Sequence, residues 1–200
     1  METQLLSTDT EEGFNEALEL AVAQLRQGEV VAVPTETVYG LAANALEASS
    51  VEKIFTAKDR PAQNPIIVHV SSESMARDCV AQWPESAGKL ANAFWPGPLT
   101  LVLPKADTIP GNVVAGGATV GVRWPSHPFM QQLTTACDFP LAAPSANLSN
   151  HISPTSAEHV KSQMEGRIPL IIDGGPAQVG IESTVVDLSG GSVRVLRPGM

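Results

Sequence analysis

The sequence predicts one α/β domain built on a mixed β-sheet flanked by helices. Three observations lead there. Short apolar runs rich in β-branched residues alternate with stretches whose apolar positions recur at helical spacing. Glycines and prolines fall between these stretches as turns and form no low-complexity tract. The last two strand-like runs, 183–188 and 192–196, are joined by a turn at Gly190-Gly191. They read as a hairpin, so the sheet is not purely parallel. With 200 residues, 43% of them hydrophobic, the chain is long enough for one sizeable core.

Taken in order, residues 1–10 are polar and read as a frayed end. Across 11–27, Phe14, Ala17, Leu18, Ala21, Val22 and Leu25 recur at helical spacing, and Gly28 follows as a cap. The run 30–33 is a buried strand ended by Pro34, and Thr35, Glu36, Thr37 and Tyr39 cluster on the turn beyond it. Ser49 and Glu52 stand at capping-box spacing and open a helix that runs into Lys58, Asp59 and Arg60 before Pro61. Residues 65–70 form a second apolar run with His69 near its end. Ser71 or Ser72 caps a helix through Gln82, and Pro84 opens one carrying Ala87, Leu90, Ala91 and Phe94. Phe94 and Trp95 read as core packing.

Pro96-Gly97-Pro98 turns the chain into a strand over 99–103. A loop over 106–118 leads to a strand at 119–122 and then to Arg123, Trp124 and Pro125. Residues 127–136 are helical and 140–143 are a short apolar run. Ser153-Pro154 opens a helix through Met164, with Thr155 and Glu158 at capping-box spacing. A strand over 168–172 closes on Asp173-Gly174-Gly175-Pro176.

The net charge of −9, from 21 acidic and 12 basic residues, argues against a broad phosphate-binding surface of the kind that grips a duplex. Cations converging in one cavity of such a protein suit a small anionic ligand better. Cys79 and Cys137 are far apart, lack metal spacing and read as buried reduced thiols. No leader-like segment opens the chain and no apolar run approaches membrane-spanning length, so the expected setting is the reducing cytosol, with no membrane partner.

Several standard chemistries are excluded by motif. There is no G-x-x-x-x-G-K-[ST], no G-x-G-x-x-G, no H-E-x-x-H and no G-x-S-x-G. What remains is Lys58-Asp59-Arg60 and Ser145-Ala146-Asn147. A lysine and an arginine two positions apart at a helix end can converge on one anion, the arginine as a planar fork and the lysine as a point charge. Serine and asparagine add neutral donors. Each motif has a plainer reading: a solvated helix end favoured by the dipole, or ordinary turn chemistry. His69 alone can be a core histidine, and Arg123 can stack on Trp124. Thr37 and Tyr39 can be turn and packing residues, and Ser183 a strand hydroxyl. His127, His151 and His159 read as surface or capping residues, and Glu36 and Glu182 as polar neighbours of the site without a role.

Together, PTETVYGL, KDRPAQNPIIVHV, FWPGPLTLVL, TVGVRWP, APSANLS with SPT, ESTVVD and VLRPG resemble, in that order and from about Val30 to Gly199, the YrdC-like threonylcarbamoyl-adenylate synthase family. The resemblance implies a single YrdC-like domain, α/β (α+β), with a twisted mixed sheet flanked by helices around a central cationic cavity. It implies condensation of L-threonine, bicarbonate or CO2 and ATP into threonylcarbamoyl-AMP and pyrophosphate, with Mg2+ held through the ATP phosphates. Partner proteins then transfer the threonylcarbamoyl group to ANN-decoding tRNAs, and weak tRNA contact fits the same setting.

By the same resemblance, Lys58, Arg60, Ser145 and Asn147 are catalytic. Arg60, Asn64, Thr119, Ser145, Ser153 and Arg197 match ATP-binding positions, and Thr37, His69, Arg123, Ala143 and Ser183 match the threonine pocket. Some members carry a linker and second domain after the RPG segment, whereas this sequence stops at Met200. The alternatives are an RNA-binding module and a carbamoyl-adenylate-handling domain of a carbamoyltransferase.

Overall fold

An apolar run without a polar alternate position must be covered on both of its faces. The strands of this protein obey that constraint. In the computed structural model, which describes residues 2–61 and 63–200, the chain runs β1 (Gln4–Ser7), α1 (Glu11–Arg26), β2 (Val31–Val33), β3 (Gly40–Asn44), α2 (Ala48–Lys58), β4 (Val68–His69), α3 (Glu73–Asp78) and α4 (Glu85–Phe94). It continues through β5 (Leu99–Pro104), β6 (Thr119–Arg123), α5 (Pro128–Cys137), β7 (Leu141–Ala142), α6 (Ala157–Met164), β8 (Leu170–Asp173), β9 (Thr184–Asp187) and β10 (Arg194–Arg197).

The strands form one mixed sheet in the order β1-β8-β2-β3-β7-β4-β6-β5-β9-β10. Four pairs are parallel (β1/β8, β2/β8, β4/β6, β5/β9) and the others antiparallel, among them the β9/β10 hairpin. Val31 and Val33 of β2 pack with Ala17, Ala21 and Leu25 of α1 and with Phe129, Met130 and Leu133 of α5. Ala32 faces the opposite cluster, which takes in Val51, Ile54 and Phe55 of α2 and Val160 and Met164 of α6. Phe14 meets Phe129 edge-on, with ring centroids 5.3 Å apart, and locks α1 to α5. Both cysteines are buried free thiols, and burial is the main cause that pushes each up to about 12. No helix among the described residues is long and apolar enough to cross a membrane.

The structure departs from the sequence reading at several element ends. The expected frayed end instead contains β1, an edge strand whose register with β8 pairs Gln4 with Leu170 and Ser7 with Asp173. The strand is largely exposed, Leu5 included, and Leu6 is the side chain that packs against the core. Thr3 donates its hydroxyl to Ile168 O at 2.7 Å and Thr8 N donates to Asp173 O at 2.9 Å.

The Ser49/Glu52 capping box does not form, because α2 begins one residue earlier and Glu47 precedes it, accepting from Ser50 Oγ at 2.8 Å. Helix α3 stops at Asp78, well short of Gln82, since Val80 turns out to bridge Lys105 and Ala81 N bonds Pro104 O. The helix expected from Ser153 begins at Ala157, capped by the Ser156 hydroxyl, with no Thr155/Glu158 box. Phe94 is exposed, while Trp95 is half-buried and donates Nε1 to Leu99 O at 2.7 Å.

Deleting residues 2–8 would strip β8 of one of its two parallel neighbours and make β8 the sheet edge. The expected result is a Tm lower by about 5–10 °C, corresponding to a loss of about 2–3 kcal/mol, with more aggregation on heating. Thermal unfolding by circular dichroism measures it, and an unchanged Tm would show that β1 contributes nothing.

Candidate active site

The PTET turn after β2 is the floor of a small cleft over the short central strands. All of Thr35, Glu36 and Thr37 are buried. The Thr35 hydroxyl donates to Val38 O at 2.6 Å, meets Thr37 Oγ1 at 3.0 Å and accepts from Thr37 N, so the turn is closed by its own side chain. Two sections of chain fasten onto this turn. Val179 N and Gly180 N bond Glu36 O and Thr37 O, and Tyr39 N bonds Pro154 O. Tyr39 is buried and its hydroxyl donates to Gly175 O at 2.7 Å while accepting from Gly174 N. The cleft is lined by Thr37, His69, Arg123, Ala143, Ser145, Glu182 and Ser183, among others.

Register places the threonine-pocket candidates beside one another. His69 and Arg123 are Cα partners on the parallel strands β4 and β6. Arg123 is almost fully buried. Its Nε donates to Gly97 O at 3.2 Å, Nη1 to Thr37 Oγ1 at 3.0 Å, and Nη2 stands 2.7 Å from Glu36 Oε1. That last contact is an ion pair by distance only; its angles are not those of a hydrogen bond, so both Glu36 oxygens and Nη2 are left without a hydrogen-bond partner. Arg123 therefore turns to the PTET carboxylate rather than to Trp124, and the cation–π contact that does form is Arg77 over Trp83, at 5.0 Å.

His69 is buried and its Nδ1 has no hydrogen-bond partner. Burial first, and the Arg123 charge second, push it down to about 3, so it is neutral at physiological pH. Ser183 sits just before β9, its hydroxyl 2.9 Å from Thr100 Oγ1 and accepting from Arg197 Nη2 at 3.1 Å.

The cationic side is built at the end of α2. Asp59 adopts a left-handed conformation (φ 50°), which stops the helix and reverses the chain. Lys58, the last residue of α2, lies on the buried helix face of Val51, Ile54 and Phe55, whereas Arg60 follows the reversal. Lys58 is buried and donates Nζ to Ser145 O and Asn147 O, both at 2.5 Å, and to Asn147 Oδ1 at 3.3 Å. Ser149 N returns to Lys58 O, so the S-x-N loop wraps the lysine from both ends. Burial, then repulsion from Arg60, lower Lys58 to about 7, with Glu182 opposing.

Arg60 is half-buried, donates to Asn64 O and Pro65 O, and is also lowered by burial. Asn64 itself is exposed. Ser153 Oγ donates to Glu182 Oε1 at 2.8 Å, and Arg197 donates Nε to Ser183 O at 3.1 Å with Nη2 3.6 Å from Glu182 Oε2. Gly199 lies so close over Glu182 and Ser183 that a Cβ there would strike backbone, which is why the RPG segment needs its glycine.

Of the nominated residues, Thr37, His69, Arg123, Ala143, Ser145 and Ser183 line one cleft. Lys58, Ser153 and Arg197 stand behind that lining, bonded to Ser145 O, Glu182 and Ser183 respectively, and Asn147 holds Lys58. Arg60 and Asn64 are not among the lining residues. Thr119 is not among the cleft-lining residues; it starts β6, four residues from Arg123. Sequence reasoning missed Thr100, fully buried against Ser183, although a hydroxyl inside the run LTLVL was a visible signal. It also left Glu36 and Glu182 without roles. His127, read as a surface residue, is half-buried, and burial lowers it while the Glu36 charge opposes.

A family model described as Sua5_yciO_yrdC, telomere recombination, matches residues 23–199. The chain belongs to the Sua5/YciO/YrdC family. The threonylcarbamoyl-AMP synthase of Pyrococcus abyssi is 49% identical over 182 residues, spanning 91% of this chain and 54% of that protein. The threonylcarbamoyl-AMP synthase of Bacillus subtilis is 51% identical over 180 residues, spanning 90% of this chain and 52% of that protein. The crystal structure of P. abyssi Sua5 complexed with L-threonine superposes with a TM-score of 0.93 at 46% identity, covering 100% of this chain and 58% of that one. This member of the Sua5/YciO/YrdC family therefore spans about half the length of the curated relatives it matches.

His69 supplies a pH test. Its depressed folded-state value means that the unfolded chain binds the proton first as pH falls, so stability present above about pH 6.5 is lost on the way down to about 3. The upper bound is about 4–5 kcal/mol. Urea unfolding across that range should be steeper in pH for the wild type than for His69→Gln; parallel curves would mean that His69 charges freely in the fold.

Proposed function

We propose that this domain forms L-threonylcarbamoyl-AMP from L-threonine, bicarbonate or CO2 and ATP, releasing pyrophosphate. The observation that carries this reading is one cleft lined by Arg123, His69, Thr37 and Ser183, with two cations bonded to its lining, Lys58 to Ser145 O and Arg197 to Ser183, and Arg60 close enough to Lys58 to repel it. In this reading, Arg123 takes the threonine carboxylate. Thr37, Ser183, neutral His69 and the Ala143 backbone orient the rest of the amino acid. Ser145, Ser153, Asn64, Thr119 and Arg60 hold the nucleotide, with Arg197 bridging its side of the cleft to Ser183.

The chemistry brings carbamate, carboxylate and triphosphate together, and fixed cations prevent their mutual repulsion. The threonine amine bonds to CO2 and loses a proton, giving a carbamate. A carbamate oxygen then bonds to the α-phosphorus as the bond to the bridging oxygen breaks, and pyrophosphate leaves with that electron pair. Lys58 and Arg60 stabilise the charge that builds on these oxygens. Asn147 acts by fixing Lys58, since its own side chain is engaged with Lys58, Leu148 O and His151 O.

Among the described residues no group of three or more His, Cys, Asp or Glu is gathered to hold a metal. The cleft does offer a hard carboxylate oxygen at Glu182, which suits Mg2+ bound chiefly by phosphates. Magnesium bound there would supply charge screening of the triphosphate. The product would pass to tRNA threonylcarbamoyl-transfer proteins in the cytoplasm, with at most weak contact to the tRNA.

The test is pyrophosphate release from ATP with magnesium and bicarbonate, amino acid by amino acid. Release requiring both L-threonine and bicarbonate is expected, with kcat lower by about 100-fold or more in Arg60→Ala at an unchanged Tm. Release without threonine would move the domain to the carbamoyl-adenylate class, and salt-sensitive RNA binding without release would make it an RNA-binding module.

A further inference from the structure

In the reaction above Glu182 contacts none of the reacting groups and only offers magnesium an oxygen, yet it lines the cleft where they would meet. It is a carboxylate among the cleft-lining residues, next in sequence to Ser183. Its Oε1 accepts from Ser153 at 2.8 Å, and Oε2 lies 3.6 Å from the Arg197 guanidinium. Its charge also reaches Lys58 and Arg60, favouring the protonated form of each. Ser153 and Arg197 thus meet this carboxylate directly, and Lys58 and Arg60 lie within reach of its charge. The other carboxylate of the region, Glu36, is committed to Arg123 and lies outside the cleft lining.

We infer that Glu182 makes the cleft selective for magnesium-complexed triphosphate over the free triphosphate. This inference rests on the nucleotide reading proposed above. Without Glu182, Lys58, Arg60 and Arg197 would form an uncompensated cation cluster, and such a cluster binds the most highly charged anion best. Free ATP would then be preferred, although its phosphates repel an approaching carbamate. With Glu182 in place the cleft keeps only a modest positive excess, which matches the roughly halved charge of a magnesium–nucleotide complex. The carboxylate also offers the cation a hard oxygen ligand, and Mg2+ is commonly held by one or two carboxylates plus substrate phosphates. Both effects act in the same direction.

The test compares equilibrium binding of ATP with excess magnesium and with EDTA, by calorimetry and without threonine so that no turnover occurs. The wild type is expected to favour the magnesium form by about tenfold or more. In Glu182→Gln that preference should fall towards unity, chiefly through tighter binding of free ATP, while Glu182→Asp, which keeps the charge, should retain most of it. The side chain is 39% exposed, so Gln is tolerated sterically, and Glu182→Ala repeats the measurement should Gln not fold. An unchanged preference in the uncharged variants, or equal tightening of both forms, would overturn the inference and leave Glu182 as a mere occupant of Ser153 and Arg197. A wild type that binds neither form would overturn the nucleotide reading itself, and this inference with it.

Discussion

A buried ammonium is the constraint on which the site depends. Lys58 lies on the buried face of α2, and a charge so placed is tolerable only if each of its hydrogens finds an acceptor. Three acceptors are provided, all from one loop: Ser145 O, Asn147 O and Asn147 Oδ1. The loop must therefore close on α2, which it does with Ser149 N on Lys58 O, while the Gly40 bridge to Ser145 ties it to β3. That closure brings the C-terminal end of β7, the PTET turn and the segment before β9 within reach of one another. The fold and the cleft are consequences of the same pairing.

The other cations are handled in the same manner. Arg123 is held by Glu36, Thr37 and Gly97 O, and Arg197 by Ser183 and Glu182. Each has an internal partner before any substrate arrives, so the cavity is preorganised without carrying a large free charge. That explains how a chain with a net charge of −9 can concentrate positive groups at one place.

The sequence was most legible where residue type and backbone demand coincide. The apolar runs at β2, β5, β6 and β8, the helical spacing of α1 and the Gly190-Gly191 hairpin follow from local rules. The elements that eluded it were set by distant partners. β1 is recognisable as a strand only once β8 supplies its hydrogen bonds, and α3 ends early because Val80 is claimed by Lys105. The K-x-R and S-x-N motifs were visible, but not their geometry: the motifs suggested side chains converging on an anion, whereas the lysine is grasped by backbone carbonyls. Glu36 and Glu182 were seen without roles, since a carboxylate acquires one only from the cations that surround it in space. Thr100 was read as one more position of an apolar strand.

The central claim is that the fold holds Lys58 buried, its protonation poised, in readiness for an anion. It is tested most directly by an NMR titration of the Lys58 ammonium in the free protein and with magnesium–ATP. Burial and Arg60 lower the free value from 10.5 to about 7, and a bound polyanion stabilises the protonated form. The free protein should therefore titrate near 7 and the complex about one unit or more higher, with ATP affinity falling as pH rises between the two values. A Lys58 that titrates near 10.5 in the free protein, or that ignores the nucleotide, would contradict the account.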